Sequence, residues 1–267
     1  MPSIQMSDGV RLFVQDWGAG EPIVFIHGWL FSHRIFEYSM RSLADAYRVV
    51  GIDVRGFGES DQPWEGNDDD TWGRDVVQVI QALDLRNVML VGYAMGGAIA
   101  AHCAATQREP SITKLVLLSA AVPALAPDLT RQKLFRKSIR TLLADPAKSV
   151  HDFIVAGFHT AVSVQYVRWL EEIAMRASLH AQVRGLEEML AQDLSAEIGR
   201  IGTPTRIFHG VHDQVIPFVA AEAQQRMLRG AERVRFEKSN HAIFWDEKEK
   251  LTEEPARFAF EKVVKVT

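Results

Sequence analysis

With 267 residues, 47% of them hydrophobic and 24% charged, the chain suits one globular domain, or one domain with a large insertion. A formal net charge of −4 and no evident cluster of Lys and Arg argue against nucleic-acid binding, and a single cysteine, Cys103, excludes an intramolecular disulfide and a CxxC metal or redox site. No apolar run approaches the roughly 20 residues of a membrane-spanning helix, and the N-terminus lacks the pattern of a secretory signal, so a cytoplasmic protein without membrane contact is expected.

In chain order, Ser3–Met6 and Arg11–Asp16, separated by Ser7-Asp8-Gly9, predict an antiparallel hairpin. Six short runs follow at Ile23–His27, Arg48–Asp53, Asn87–Gly92, Lys114–Ser119, Thr205–His209 and Arg233–Glu237. All are apolar, as expected of parallel strands covered by helices on both faces. Helical periodicity marks Arg34–Ala46, Thr71–Leu83, Met95–Gln107, Phe218–Leu228 and Lys250–Val264. The acidic run Asp68 to Asp70 is the solvated start of the second of these helices. This alternation predicts an α/β fold, a mostly parallel eight-stranded sheet flanked by helices.

One interval breaks the rhythm. From Ala121 to Arg200 only helical periodicity is present, punctuated by Pro123, Pro127 and Pro146. Roughly 80 residues is too much for a simple connection, and β-branched runs are scarce there. A helical cap over 121–200, inserted into a core of 1–120 and 201–267, is expected.

The segment Val88-Met89-Leu90-Val91-Gly92-Tyr93-Ala94-Met95-Gly96-Gly97 is a strand running into a sharp turn and a helix. Except at one side chain it matches the nucleophile elbow G-x-S-x-G. Gly92 and Gly96 flank Ala94 by two residues, where strand and helix must approach closely without Cβ atoms. Acyl transfer by a serine also needs a base, an acid that orients it, and donors for the oxyanion. Asp213, in His209-Gly210-Val211-His212-Asp213, follows one predicted strand, and His241, in Ser239-Asn240-His241-Ala242, follows the next. Their order after Ala94 is acid, then histidine. His212 is a poorer base because it shares the acid's own loop. For the oxyanion, the candidate donors are the backbone N–H of Met95 and that of Trp29 in His27-Gly28-Trp29-Leu30; His27 buttresses the loop.

With these residues in place, the chain resembles the bacterial aryl esterases grouped with the cofactor-free haloperoxidases, or perhydrolases, of the α/β-hydrolase superfamily. Supporting segments are Asp16-Trp17-Gly18, Asp53-Val54-Arg55-Gly56-Phe57-Gly58-Glu59-Ser60-Asp61-Gln62-Pro63-Trp64 and Gly66-Asn67-Asp68. The resemblance implies an α/β-hydrolase fold in which His241 deprotonates a serine, Asp213 orients His241, and the Trp29 and Met95 amides hold the oxyanion. It implies no metal and no organic cofactor. Alanine stands at position 94 where the family has serine, and Leu30 follows the tryptophan where perhydrolytic members tend to carry proline. The second departure tilts the reading towards an ester or lactone substrate; perhydrolysis and lactam hydrolysis are the alternatives.

Ala94 has no group that can attack a carbonyl. Three explanations compete: a Ser→Ala change in an active enzyme, a natural ligand-binding protein on a hydrolase fold, or a misread glycine turn. The first is favoured, because acid, histidine and oxyanion loop all stand at the expected places. Substrate contacts are expected from Tyr93, Leu30, Phe158 and Trp169, while most aromatic residues of the 121–200 interval form helix core. His151, His159 and His180 are scattered without ligand spacing. The expected partner is a small-molecule ester or lactone, and homo-oligomerisation is left open.

Overall fold

Strands β1 (Ser3–Gln5), β2 (Arg11–Trp17), β3 (Pro22–Ile26), β4 (Arg48–Ile52), β5 (Val88–Tyr93), β6 (Ile112–Leu118), β7 (Thr205–Gly210) and β8 (Glu232–Phe236) form one sheet. They are seen in a computed structural model that describes residues 3–107, 109–124 and 129–261. Pro127 and positions 262–264 of the last predicted helix lie outside the described residues. Across the sheet the order is β1-β2-β4-β3-β5-β6-β7-β8. β2 runs antiparallel to β1 and β4, and the strands from β4 through β8 are parallel.

This order decides where a site can form. The chain leaves β3 towards β4 on one side and returns across β3 to β5 on the other. The connections after β3 and β5 therefore diverge, opening a crevice at the carboxyl ends of these two neighbours. Every residue of β3, β5 and β7 is buried, as parallel strands covered on both faces require. β8 departs from the expected apolar run. It is an edge strand in which only Phe236 is buried, and the Arg233 and Arg235 guanidinium groups stand 4.9 Å from the Phe218 ring.

A 3-10 turn at His33–Phe36 leads into α1 (Glu37–Leu43), and α2 (Asp69–Ala82) follows β4. α3 (Met95–His102) is buried all round; its Gly, Ala and Ile residues let it lie close against the sheet, and it continues as a π turn at Cys103–Gln107. Between β6 and β7 come α4 (Leu129–Ala144), α5 (Pro146–Ala156), α6 (Val164–Ala174) and α7 (Leu179–Ala191), in the interval where only helical periodicity was found. The core closes with α8 (Val219–Met227), α9 (Ile243–Asp246) and α10 (Lys248–Phe260). The short α9 carries no signal in the sequence because four residues span too little of the chain to show a period.

These four inserted helices are tied to the core by specific bonds. The Trp29 indole N–H donates to Gln182 O at 2.8 Å, and Asn240 Nδ2 donates to Ala156 O at 2.8 Å. Asp246 accepts the N–H groups of His159 and Thr160 at 2.9 and 3.0 Å. On the far side, the His180 and Trp64 rings stack at 3.7 Å, and His180 Nε2 donates to Trp64 O at 2.7 Å.

The acidic run at the start of α2 is not uniformly solvated. Asp68 caps the helix by accepting Thr71 N–H at 2.8 Å, but Asp69 is buried under α7, where Glu188 accepts its N–H at 3.3 Å. Burial, with Glu188 nearby, pushes the Asp69 carboxyl up to about 7. The folded chain therefore holds a proton there that the unfolded chain releases at about 3.9, so stability falls as pH rises between those values. Asp69→Asn is expected to stabilise the protein by up to about 4 kcal/mol at about pH 8 and to leave it nearly unchanged at about pH 4. Urea unfolding at both pH values checks this, and an unaltered pH slope would count against it.

Candidate active site

β5 turns into α3 through Ala94, whose φ of 49° and ψ of −113° lie in a region that non-glycine residues rarely adopt. Its neighbours hold it there. Ala94 N–H donates to Leu118 O at 3.0 Å, and Ala94 O accepts from Gly97 N and Ala121 N, both at 3.0 Å. The flanking glycines are required by space. A Cβ at Gly92 would lie 2.2 Å from Gly96 O, and one at Gly96 would lie 2.4 Å from His27 O.

Because β3 and β5 are neighbours, the loop after β3 lies against this turn. A Cβ at Gly28 would meet the Tyr93 ring at 2.9 Å and Ala94 Cβ at 3.1 Å, so glycine lets the Trp29 backbone close up on the elbow. Met95 opens α3, where a helix's first N–H groups have no intrahelical acceptor. His27 braces the loop: its Nδ1–H donates to Gly28 O at 2.8 Å and its Nε2 accepts Val54 N–H at 2.9 Å. Burial lowers its basicity, which suits a neutral ring with one donating and one accepting nitrogen.

The acid and the histidine meet from the two loops that follow β7 and β8. Asp213 Oδ1 accepts Val215 N–H at 3.0 Å and Ile216 N–H at 2.8 Å, and Asp213 Oδ2 accepts His241 Nδ1–H at 2.9 Å. Burial works against the carboxylate, but His241 and these N–H donors outweigh it and hold the carboxyl below its usual range. An ionised Asp213 keeps the His241 proton on Nδ1 and leaves Nε2 as the basic nitrogen. Tyr93 O–H donates to His241 O at 3.1 Å, fixing the histidine loop against the elbow strand.

Ala94 and His241 both line one cavity of about 610 Å³ between the core and the inserted helices. Its walls are mainly apolar, with Trp29, Phe31, Leu134, Phe135, Phe153 and Met189 among them. The structure thus brings Ala94, Asp213, His241, Trp29, Met95 and Tyr93 together. The structure places the other three expected contacts away from the lining of this cavity. Leu30 is fully buried at φ 73° and does not line the cavity, because the turn that presents the Trp29 backbone drives the next side chain into the core. Trp169 also lies off the cavity, stacked on Tyr166 at 5.2 Å with Arg34 at 5.3 Å. Phe158 lines a narrow crevice beside Tyr93 and His241 instead. His212 stacks on His159 at 4.1 Å and takes no part in the Asp213–His241 bond.

Asn240 was not singled out in sequence. Its Oδ1 accepts His241 N–H at 2.8 Å and Gln214 N–H at 2.9 Å, while its Nδ2 donates to Ala156 O and Phe158 O. One side chain joins the acid loop, the histidine loop and the inserted helices; adjacency to His241 was the only signal in the sequence. Cys103 is buried at the start of the π turn that continues α3, and burial pushes its thiol up to about 12, which leaves it unreactive. Among the described residues, no group of three or more His, Cys, Asp or Glu side chains is arranged to hold a metal ion, and no helix is long and apolar enough to cross a membrane.

The chain belongs to the alpha/beta hydrolase fold family, whose model matches residues 21–248. It is 38% identical to the AB hydrolase superfamily protein YisY of Bacillus subtilis, over 96% of this chain and 98% of that protein. It is 30% identical to the non-heme chloroperoxidase CPO-A1 of Kitasatospora aureofaciens, over 91% of this chain and 93% of that protein. Among solved structures, an esterase from Exiguobacterium antarcticum superposes with a TM-score of 0.94 at 32% identity, covering 97% of this chain and 99% of that one. The bromoperoxidase of Bacillus anthracis gives 0.88 at 28% identity, with 94% and 96% covered.

Replacing Asn240 by Ala leaves the buried N–H of His241, and the N–H of Gln214, without their acceptor. A loss of about 3 kcal/mol in urea unfolding is expected. A change within a few tenths of a kcal/mol would show that this side chain does not tie the loops.

Proposed function

We propose that the chain carries the site of a serine-type carboxylic-ester hydrolase with its nucleophile position occupied by alanine. The observation that supports this best is the Asp213–His241 pair, bonded at 2.9 Å, lining the same apolar cavity as the elbow residue Ala94. In this reading an ester or lactone carbonyl lies over Ala94, with its oxygen towards the Met95 and Trp29 amides. The apolar walls take the acyl or aryl part. Similarity to a solved structure named an esterase supports ester chemistry.

With a hydroxyl at position 94 the cycle runs in two steps. His241 Nε2 takes the hydroxyl proton as Oγ attacks the carbonyl, and Asp213 stabilises the imidazolium. The tetrahedral oxyanion rests on the two amides until the alkoxide leaves, taking the proton from His241. Water, deprotonated by the same nitrogen, then attacks the acyl carbonyl; the acyl–Oγ bond breaks, Oγ recovers the proton from His241, and the acid is released. Ala94 removes the first bond-forming step and leaves the binding geometry in place. The chain with Ala94 binds such substrates and turns them over poorly; loss of a triad nucleophile costs about 10⁶ in kcat, with residual acceleration from binding and the oxyanion donors.

Ala94→Ser is expected to raise turnover of short aryl esters by about 10⁴-fold or more, and to make the protein react covalently with a fluorophosphonate. Adding His241→Ala should abolish the labelling. If the serine variant stays inert on a broad ester and lactone panel while the Ala94 protein binds a ligand tightly, a non-catalytic binding protein is the better description.

A further inference from the structure

Helix α4 carries Arg131, Lys133, Arg136, Lys137 and Arg140 and not one acidic residue, in a chain whose net charge is −4. The expectation that Lys and Arg are unclustered fails here. At helical spacing Lys133, Arg136, Lys137 and Arg140 share one face, with Leu129 and Leu143 at its two ends. These four cations are exposed, and among the described residues none of them makes an ion pair. Arg131 lies off this face, lining the cavity and donating to Val215 O at 3.5 Å.

The leucines are as unusual as the charges. Leu129, Leu134 and Leu143 are 73%, 52% and 55% exposed. Among the described residues, two carboxylates near the end of the helix have partners of their own: Asp145 caps α5 by accepting Lys148 N–H at 3.0 Å, and Asp152 pairs with the Lys148 ammonium. On its inner side α4 buries Leu142, and Leu134, Phe135, Ser138 and Thr141 help to line the cavity that holds Ala94 and His241. The cationic face is therefore the outer side of a cavity wall.

A polyanion such as a nucleic acid would engage the four cations and leave Leu129 and Leu143 in water. An apolar protein face would cover the leucines and strand the cations. An anionic bilayer surface matches both, with headgroups at the cations and leucines dipping into the acyl boundary. We propose that α4 is an interfacial helix that docks the protein on an anionic lipid surface. This revises the expectation of no membrane contact, which weighed only spanning segments. Delivery of a lipophilic ester from the bilayer rests on the ester-hydrolase reading above; the docking itself does not.

Co-sedimentation of the full chain with phosphatidylcholine vesicles, with and without about 30% phosphatidylglycerol, tests it. Binding to the anionic vesicles is expected to exceed binding to neutral ones by about tenfold or more and to weaken as salt rises. The variant Lys133→Gln/Arg136→Gln/Lys137→Gln/Arg140→Gln should lose about tenfold or more in partition, and Leu129→Ser/Leu143→Ser severalfold, with unchanged circular dichroism. The control Arg226→Gln/Arg229→Gln, at the end of α8 and just beyond it, should bind as the parent does. Equal partition into neutral vesicles, undiminished binding by the quadruple variant, or displacement from vesicles by duplex DNA would overturn the proposal. Since partition is read without turnover, such a failure leaves the ester reading intact, and an inert Ala94→Ser variant leaves the docking result intact.

Discussion

Between β5 and α3 the chain turns from strand to helix through Ala94 alone, and the packing around it admits no Cβ at three places. Gly92 meets the Gly96 carbonyl, Gly96 meets the end of β3, and Gly97 would bring a Cβ within 2.4 Å of Ala120 Cβ. These approaches hold a positive-φ residue whose strain the fold must offset elsewhere. They also set the distance between β5, β3 and β6 at the sheet's carboxyl edge, and hence where the Trp29 and Met95 amides stand. An enlarged glycine would move the donors and the tip together.

The histidine depends on the same edge from the other direction. Asp213 and His241 come from loops after adjacent strands β7 and β8, and their bond forms because Asn240 and Tyr93 bind the loop backbones. Asn240 also reaches Ala156 and Phe158, so the inserted helices and the histidine are positioned by one amide. A shift of these helices would thus be felt at His241 as well as at the cavity wall. Neutral His27, below the elbow, adds stiffness without adding a second base.

Much of this was legible in the chain itself. The eight strand runs stand within two residues of their predicted ends, because buried parallel strands are short apolar runs bounded by turn residues. Glycine spacing located the elbow, and post-strand position located Asp213 and His241. The misses have physical causes. Leu30 and Trp169 are apolar residues near the site whose side chains point into packing instead, and periodicity gives an apolar face without naming its neighbour. Asp69 reads as a solvated acid until α7, more than 100 residues later, covers it (Glu188 is 119 positions away).

The family, the strand set, the strained tip and the order of acid and histidine are encoded by local spacing along the chain. Tertiary structure decided which aromatic residues face the cavity, which carboxyl is buried, and that α4 turns its cations outward while walling the site. Those depend on contacts between segments far apart in the chain, where a side chain's surroundings are set by the partner element and not by its own neighbours in sequence.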